Sequence, residues 1–304
     1  MTEPAVLVRD FHKRYGDLVA VDGISFEAQP GEVFGLLGPN GAGKTSTLEC
    51  LEGIRFPDGG TLQVMGIDPR RDGDRLRDVL GVQLQVSGLP GDMLVEEAMR
   101  FFCAYHNVEP RHDLIDRLGL GEKRRAPFRK LSTGQQRRLA LALAVAHRPS
   151  VVILDEPTAG LDVATRAELH TLVVELRQQG TTILLATHDM AEAEKLADRV
   201  AILLRGRIVA LGTPRELTAT GASQTKISIH TESEQDLTGL RLPAVVRSSH
   251  VDGYSVFFSG KPGETVVGLL QEVERRGDKL IDLRVERPSL EERFLQLTSQ
   301  GEAA

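Results

Sequence analysis

The sequence predicts an α/β protein, a parallel sheet wrapped by helices, followed by a smaller α+β domain. Three observations carry this. Through roughly the first two thirds of the 304 residues, short apolar β-branched runs alternate with amphipathic helical stretches, the pattern of strands buried on both faces. One such run, Val33–Leu37 in "VFGLLGPNGAGKTSTLECLEG", passes through a glycine-rich turn straight into a helix opening at Lys44. From about Ala222 the character changes: "TKISIHTE" and "YSVFFSG" read as strands, "GETVVGLLQEVERRG" as a helix, and "KLIDLRVERP" as another strand.

Composition bounds the function. Charged and apolar fractions of 26% and 41% are ordinary for a globular chain. A net charge of −6 argues against a nucleic-acid partner held by a broad basic field. No apolar run approaches the roughly 20 residues that span a bilayer. The most apolar stretch, Leu139–Ala146, is short and bounded by Arg137, Arg138 and His147. The opening "MTEPAVLVRD" has neither a basic region nor an apolar signal segment, so a cytoplasmic chain is expected. Cys50 and Cys103 fall in helical stretches and read as small buried hydrophobes, with no disulfide framework.

Taken in order, residues 5–30 alternate as paired strands do, with a turn signal at Tyr15–Asp17. The glycine-rich turn then matches G-x-x-x-x-G-K-[ST] at Gly38, Gly43, Lys44 and Thr45. Glycines let successive backbone N–H groups turn inward around an anion, and the helix N-terminus adds partial positive charge. Gly38, Pro39, Asn40, Gly41, Ala42, Gly43, Lys44, Thr45 and Ser46 therefore form the candidate phosphate cradle. Lys44 is expected to reach β- and γ-phosphates, and the Thr45 hydroxyl to bind Mg²⁺.

"VEEAMRFFCAYHNV" (95–108) is an amphipathic helix that begins a helical region running to about Ala146. Within it, "RKLSTGQQRRLALALAVA" (129–146) opens a second helix, with Ser132 as N-cap and Gln135 completing a capping-box pattern. That terminus also suits an anion, so one chain carries two phosphate-binding elements.

"SVVILDEPTAGLD" (150–162) places Asp155 and Glu156 at the C-terminal end of a short buried strand, where α/β sheets position ligands. Asp155 can hold Mg²⁺, and Glu156 can orient or deprotonate an attacking water. "RAELHTLVVELRQQG" (166–180) is a helix ending at a glycine. "TTILLATHD" then delivers His188 to the same edge of the sheet, and "RVAILLRGRIVALG" reads as a hairpin turning at Arg205–Gly206. Far downstream, Ser289 and Glu292 of "SLEERFLQLT" form another capping-box pattern.

These residues resemble the ATP-binding subunits of ABC transporters. Gly38–Thr45 is similar to that family's Walker A loop, "ILDEP" to its Walker B, and "LSTGQ" (Leu131–Gln135) to its signature motif, with Thr133 where a glycine is usual. Gln85, at the end of "LGVQLQ", resembles the glutamine that touches Mg²⁺ and the attacking water, and is favoured over Gln83. Asp162 in "AGLD", His188 and Tyr15 resemble the family's D-loop aspartate, switch histidine and adenine-stacking aromatic.

The resemblance implies a P-loop NTPase ABC cassette: a parallel-sheet core, an antiparallel β subdomain, and a helical subdomain inserted at about 86–146. The cassette covers residues 1–220, and residues 221–304 form a small regulatory or docking domain. It further implies Glu156, His188 and Gln85 as catalytic residues and Thr45, Gln85 and Asp155 as Mg²⁺ ligands. Two copies are expected to pair head to tail, so that Ser132, Thr133, Gly134 and Gln135 of one cover the ATP of the other. A separate membrane permease, no nucleic acid, and a location on the inner face of the membrane complete the expectation. "THDMAEAEKLADRVAIL" and "SLEERFLQLT" are similar to the drug-export branch typified by daunorubicin-resistance ATPases. The competing expectation is a non-transport relative acting in DNA repair or translation; no second Walker A and no long heptad region is present for it.

Overall fold

The computed structural model describes residues 3–83, 88–219 and 224–301. The chain divides into two compact units, Met1–Pro214 and Arg215–Ala304.

In the first unit, β1 (Val6–Tyr15) and β2 (Leu18–Ala28) form an antiparallel hairpin about the turn at Gly16 and Asp17. β3 (Val33–Leu37), every residue buried, leads into α1 (Lys44–Leu51). β4 (Gly59–Val64) returns to pair with β1, giving a three-stranded antiparallel sheet in the order β2-β1-β4. α2 (Gly73–Val79), capped by the Asp72 carboxylate, precedes β5 (Leu80–Gln83).

The helical region follows as α3 (Val95–Tyr105), α4 (His112–Arg117) and α5 (Thr133–Val145). β6 (Val151–Asp155), α6 (Val163–Gln178), β7 (Thr182–Thr187), α7 (Met190–Leu196) and β8 (Arg199–Leu204) then alternate. β9 (Arg207–Gly212) folds back antiparallel through the turn at Arg205–Gly206, and α8 (Pro214–Ala219) begins at the unit boundary.

The main sheet has the order β5-β6-β7-β3-β8-β9, parallel except for β9 at its edge. β6 shows why its run reads as continuously apolar: both faces are covered. Val152 and Leu154 pack with α3, α5 and α6, whereas Val151 and Ile153 pack with the three-stranded sheet and α1. All parallel strands thus point their C-terminal ends to one side, which is where β3, β6 and β7 place Gly38, Glu156 and His188.

The second unit is a four-stranded antiparallel sheet, in the order β11-β12-β10-β13. Its strands are β10 (Thr225–Thr231), β11 (Val245–Val251), β12 (Tyr254–Ser259) and β13 (Leu280–Glu286). α9 (Pro262–Arg275) packs Leu269 and Val273 onto Ile227, Ile229 and Phe257. α10 (Leu290–Gly301) starts where the Ser289 hydroxyl accepts from the Glu292 N–H at 3.2 Å.

Candidate functional site

Sequence places the phosphate-binding loop between β3 and α1, and the geometry explains each glycine that matters. A Cβ on Gly38 would lie 2.4 Å from the Leu203 carbonyl oxygen, so the loop can hug β8 only without one. Gly43, at φ 106°, turns the chain into α1, and a Cβ there would meet the Ala20 carbonyl at 2.7 Å. The Thr47 hydroxyl donates to the Gly43 carbonyl at 2.8 Å and ties down the first turn.

Lys44 is almost fully buried. Its Nζ donates to the Gly38 carbonyl at 2.7 Å and the Pro39 carbonyl at 3.3 Å, and lies 3.5 Å from Glu156 Oε1. It spans the loop as a cation aimed at the place where an anion would sit. The loop, with Tyr15, Leu18, Val19, Ala20, Glu156 and Arg205, encloses an open cavity of about 650 Å³. None of Ser132, Thr133, Gly134 or Gln135 lines it.

At the end of β6, Asp155 accepts from the Thr45 hydroxyl through Oδ2 at 3.3 Å. Burial, and then the charge of Glu156, push the Asp155 carboxyl above its ordinary range, while Thr45 and Lys44 pull it partly back. Its Oδ1 is buried with no hydrogen-bond partner. An orphaned carboxylate oxygen beside a hydroxyl is a donor set that fits a hard divalent cation such as Mg²⁺.

Glu156 takes the left-handed backbone conformation, φ 49°, which is uncommon for a side chain with a Cβ. Two hydrogen bonds hold it there. Its N–H donates to the Ala186 carbonyl at 2.9 Å, and its own carbonyl accepts from the Arg137 guanidinium of α5. Its carboxylate oxygen Oε2 lies 2.7 Å from His188 Nδ1. A carboxylate can only accept, so Nδ1 carries the hydrogen. Arg137 and Arg205 are the additions that sequence reasoning missed. Arg137 reads there only as a charge bounding the apolar stretch Leu139–Ala146, and only the folded chain shows its guanidinium, part-buried, donating to the backbone carbonyl of Glu156.

The remaining candidates are placed as follows. Tyr15 is partly exposed at the end of β1; its hydroxyl donates to Ser46 Oγ at 3.3 Å, and Lys13 and Arg55 approach its ring at 5.2 and 5.3 Å. Ser132 caps α5 as predicted, with Gln135 N–H donating to its Oγ at 3.3 Å and Ser132 N–H donating to Gln135 Oε1 at 3.0 Å. Asp162 caps α6 by accepting from Thr165 N–H at 2.9 Å and its hydroxyl at 2.8 Å, which holds the Asp162 carboxyl below the usual range. Gln85 lies outside the described residues. Gln83 is buried on β5, with its Oε1 unpartnered.

A family model described as ABC transporter matches residues 21–159. The Nod factor export ATP-binding protein I of Ralstonia nicotianae is 35% identical over 98% of this chain and 94% of its own length. The chain belongs to the ABC transporter ATP-binding proteins. Another relative, the daunorubicin resistance ATP-binding protein DrrA3 of Streptomyces coeruleorubidus, is 34% identical over 98% of this chain and 97% of its own. Among solved structures, cbiO1 of Clostridium perfringens, part of the ABC transporter complex cbiONQ, is 30% identical with a TM-score of 0.62. That match covers 72% of this chain and 92% of cbiO1. An ATP-binding subunit of an ABC transporter gives a TM-score of 0.67 at 25% identity, over 71% of this chain and 92% of that one. The first unit is accordingly an ABC cassette of the P-loop α/β fold, and the chain is an ATP-binding, ATP-hydrolysing transporter subunit. The DNA-repair or translation alternative is not supported by these relatives. Among the described residues no helix is long and apolar enough to cross a membrane.

Proposed function

We propose that two copies of this chain close head to tail around two ATP molecules and drive a separate membrane permease. The observation that carries this is the split between two anion-binding elements. The cavity around Lys44 is lined by Pro39–Ser46 of the loop and by no part of the capped start of α5. A triphosphate in that cavity leaves its terminal phosphoryl open on one side, and charge developing there needs donors. Ser132, Thr133, Gly134 and Gln135 of a second copy supply them, with Asp162 shaping the seam.

Within one copy, Lys44 binds the terminal phosphates and Tyr15 presents a π-face to adenine. Thr45 and Asp155, with Gln85, hold Mg²⁺. When bound, that ion neutralises charge on the phosphate oxygens. Glu156 takes the proton of the attacking water, and His188 keeps the Glu156 carboxylate oriented. The relatives named for Nod factor export and daunorubicin resistance support export as the direction and an antibiotic-like molecule as cargo. The subunit then works on the inner face of the membrane, attached through its permease. The second unit, with no such constellation among its described residues, regulates or docks.

Light scattering on full-length Glu156→Gln tests the pairing. Mg²⁺ and ATP should convert the chain to a dimer, and a nucleotide-loaded chain that stays monomeric would contradict it.

A further inference from the structure

The cavity around Lys44 receives a polyanion, so the charges on its walls decide how the phosphates are held. Among the described residues, the charged groups lining it are Lys44, Glu156 and Arg205. Lys44 and Glu156 face each other at 3.5 Å, so their charges largely offset one another. Arg205 is exposed, and among the described residues its side chain has no hydrogen bond or ion pair. The other cations of this hairpin and of the Tyr15 end are engaged. Arg207 donates to Asp22 at 3.0 and 2.6 Å, Lys13 donates to Asp58 at 3.1 Å, and Arg55 pairs with Glu49. Arg205 is therefore the uncompensated positive charge on the wall of a phosphate cavity.

The backbone that carries it is unusual for an arginine. Arg205 and Gly206 alone join β8 to β9, with φ of 49° and 77°. A two-residue hairpin with positive φ at both positions favours Asn-Gly, and an arginine at the first position is strained. The turn is also clamped in place. Gly206 N–H donates to the Ala42 carbonyl at 3.1 Å, and the Gly206 carbonyl accepts from Asp22 N–H at 2.8 Å. A Cβ on Gly206 would lie 2.8 Å from the Ala20 carbonyl oxygen. Arg205 thus stands on a fixed turn wedged between the phosphate-binding loop and the first residues of β2, which wall the cavity beside Tyr15.

We propose that Arg205 is a nucleotide-binding residue whose guanidinium takes the α-phosphate of ATP. The inference rests on the seating given above, with adenine at Tyr15 and the terminal phosphates at Lys44, and the turn touches the walls between those two ends. Arginine suits the task, because its planar fork donates two parallel hydrogen bonds to phosphate oxygens. With no partner of its own, it engages the ligand without breaking an existing ion pair.

The test is calorimetric titration of the full chain with ATP, ADP, AMP and adenosine, beside the thermal midpoint. Arg205→Asn installs the residue that the turn prefers, so the midpoint should hold or rise. Affinity for ATP, ADP and AMP should fall by a common factor of about 5–10, the low end for a charged hydrogen bond because the site is open to solvent. Adenosine should bind as to wild type. Arg205→Lys, which keeps the charge without the fork, should stay within about threefold of wild type for ATP. Unchanged ATP affinity in Arg205→Asn would overturn the proposal. So would an equal loss for adenosine, which puts the contact on the base or ribose, or a loss confined to ATP and ADP, which puts it beyond the α-phosphate. Lys44→Ala separates this from the seating itself: if that variant keeps its ATP affinity, the seating fails first, and if it alone loses affinity, only the role of Arg205 fails. Arg205→Gly, equally at ease at positive φ, replaces the Asn variant should that one not fold, with the same readings deciding.

Discussion

His188 Nδ1 and Glu156 Oε2 lie 2.7 Å apart at the ends of adjacent strands, while the other oxygen of the same carboxylate faces Lys44 Nζ at 3.5 Å. One buried carboxylate is thus gripped from two sides, by a histidine 32 positions further along the chain and by the lysine of the phosphate-binding loop. Such a group is oriented before any substrate arrives, which is the condition for an efficient proton acceptor. The left-handed backbone at Glu156, held by Ala186 and Arg137, sets that direction.

Glu156→Gln keeps the shape and the hydrogen bond to His188 but removes the base. Turnover should fall by about 10²–10⁴, roughly 3–5 kcal/mol of barrier, with ATP binding retained. A phosphate-release assay beside a nucleotide-binding isotherm checks this; near-wild-type turnover would remove Glu156 from its role.

Lys44→Ala acts earlier in the cycle. It deletes a charge-assisted contact to phosphate, of the order of 1.5–3 kcal/mol, so ATP affinity should drop about 10–100-fold. Calorimetric titration of the full chain measures it, and unchanged affinity would take Lys44 out of the binding loop.

Ser132→Ala separates a cap from a catalytic donor. Losing the cap costs about 1 kcal/mol of stability, whereas losing a donor to the partner's phosphate should slow turnover by about 10²-fold. Urea unfolding and ATPase rates on one preparation distinguish the two. A stability loss with turnover intact would leave Ser132 as an ordinary cap.

Acid sensitivity should trace in part to a stacked histidine pair. The His106 and His147 rings lie 3.7 Å apart, nearly parallel. Burial, and then the neighbouring His106, lower the His147 pKa to about 4. In the unfolded chain the same ring takes its proton near pH 6.5, so the unfolded state binds more protons between these values. This contribution is therefore fully present above about pH 6.5 and is lost as pH falls toward 4. His147→Phe keeps a ring without the titration, so urea midpoints should fall less between pH 7 and 5 than in the wild type. Identical pH slopes would count against the pair.

How much of this was legible in the sequence depended on whether the physics was local. The Gly38–Thr45 loop, the Ser132–Gln135 cap and the strands ending at Asp155 and Thr187 are each set by neighbours in the chain, and each was found in place. The Arg137–Glu156 contact is not local, because it joins α5 to the end of β6 through the fold. β4 and β11 escaped notice because they are short, glycine-led or polar: "GGTLQV" and "VVRSSHV" lack the apolar run or strict alternation that marks a strand. α2 and α4, of seven and six residues, are too short for a helical period to register.

The central claim is that each ATP is completed by a second copy, and a mixing experiment tests it most directly. Lys44→Ala spoils the loop but leaves the start of α5 intact. Gly134→Asp places a negative charge in the first turn of α5, which the helix tolerates but a phosphate does not. Each variant alone should be inactive. Mixed, they should regain activity, because one of the two sites in a mixed pair joins an intact loop to an intact helix start. A mixture as inactive as its components would contradict the account.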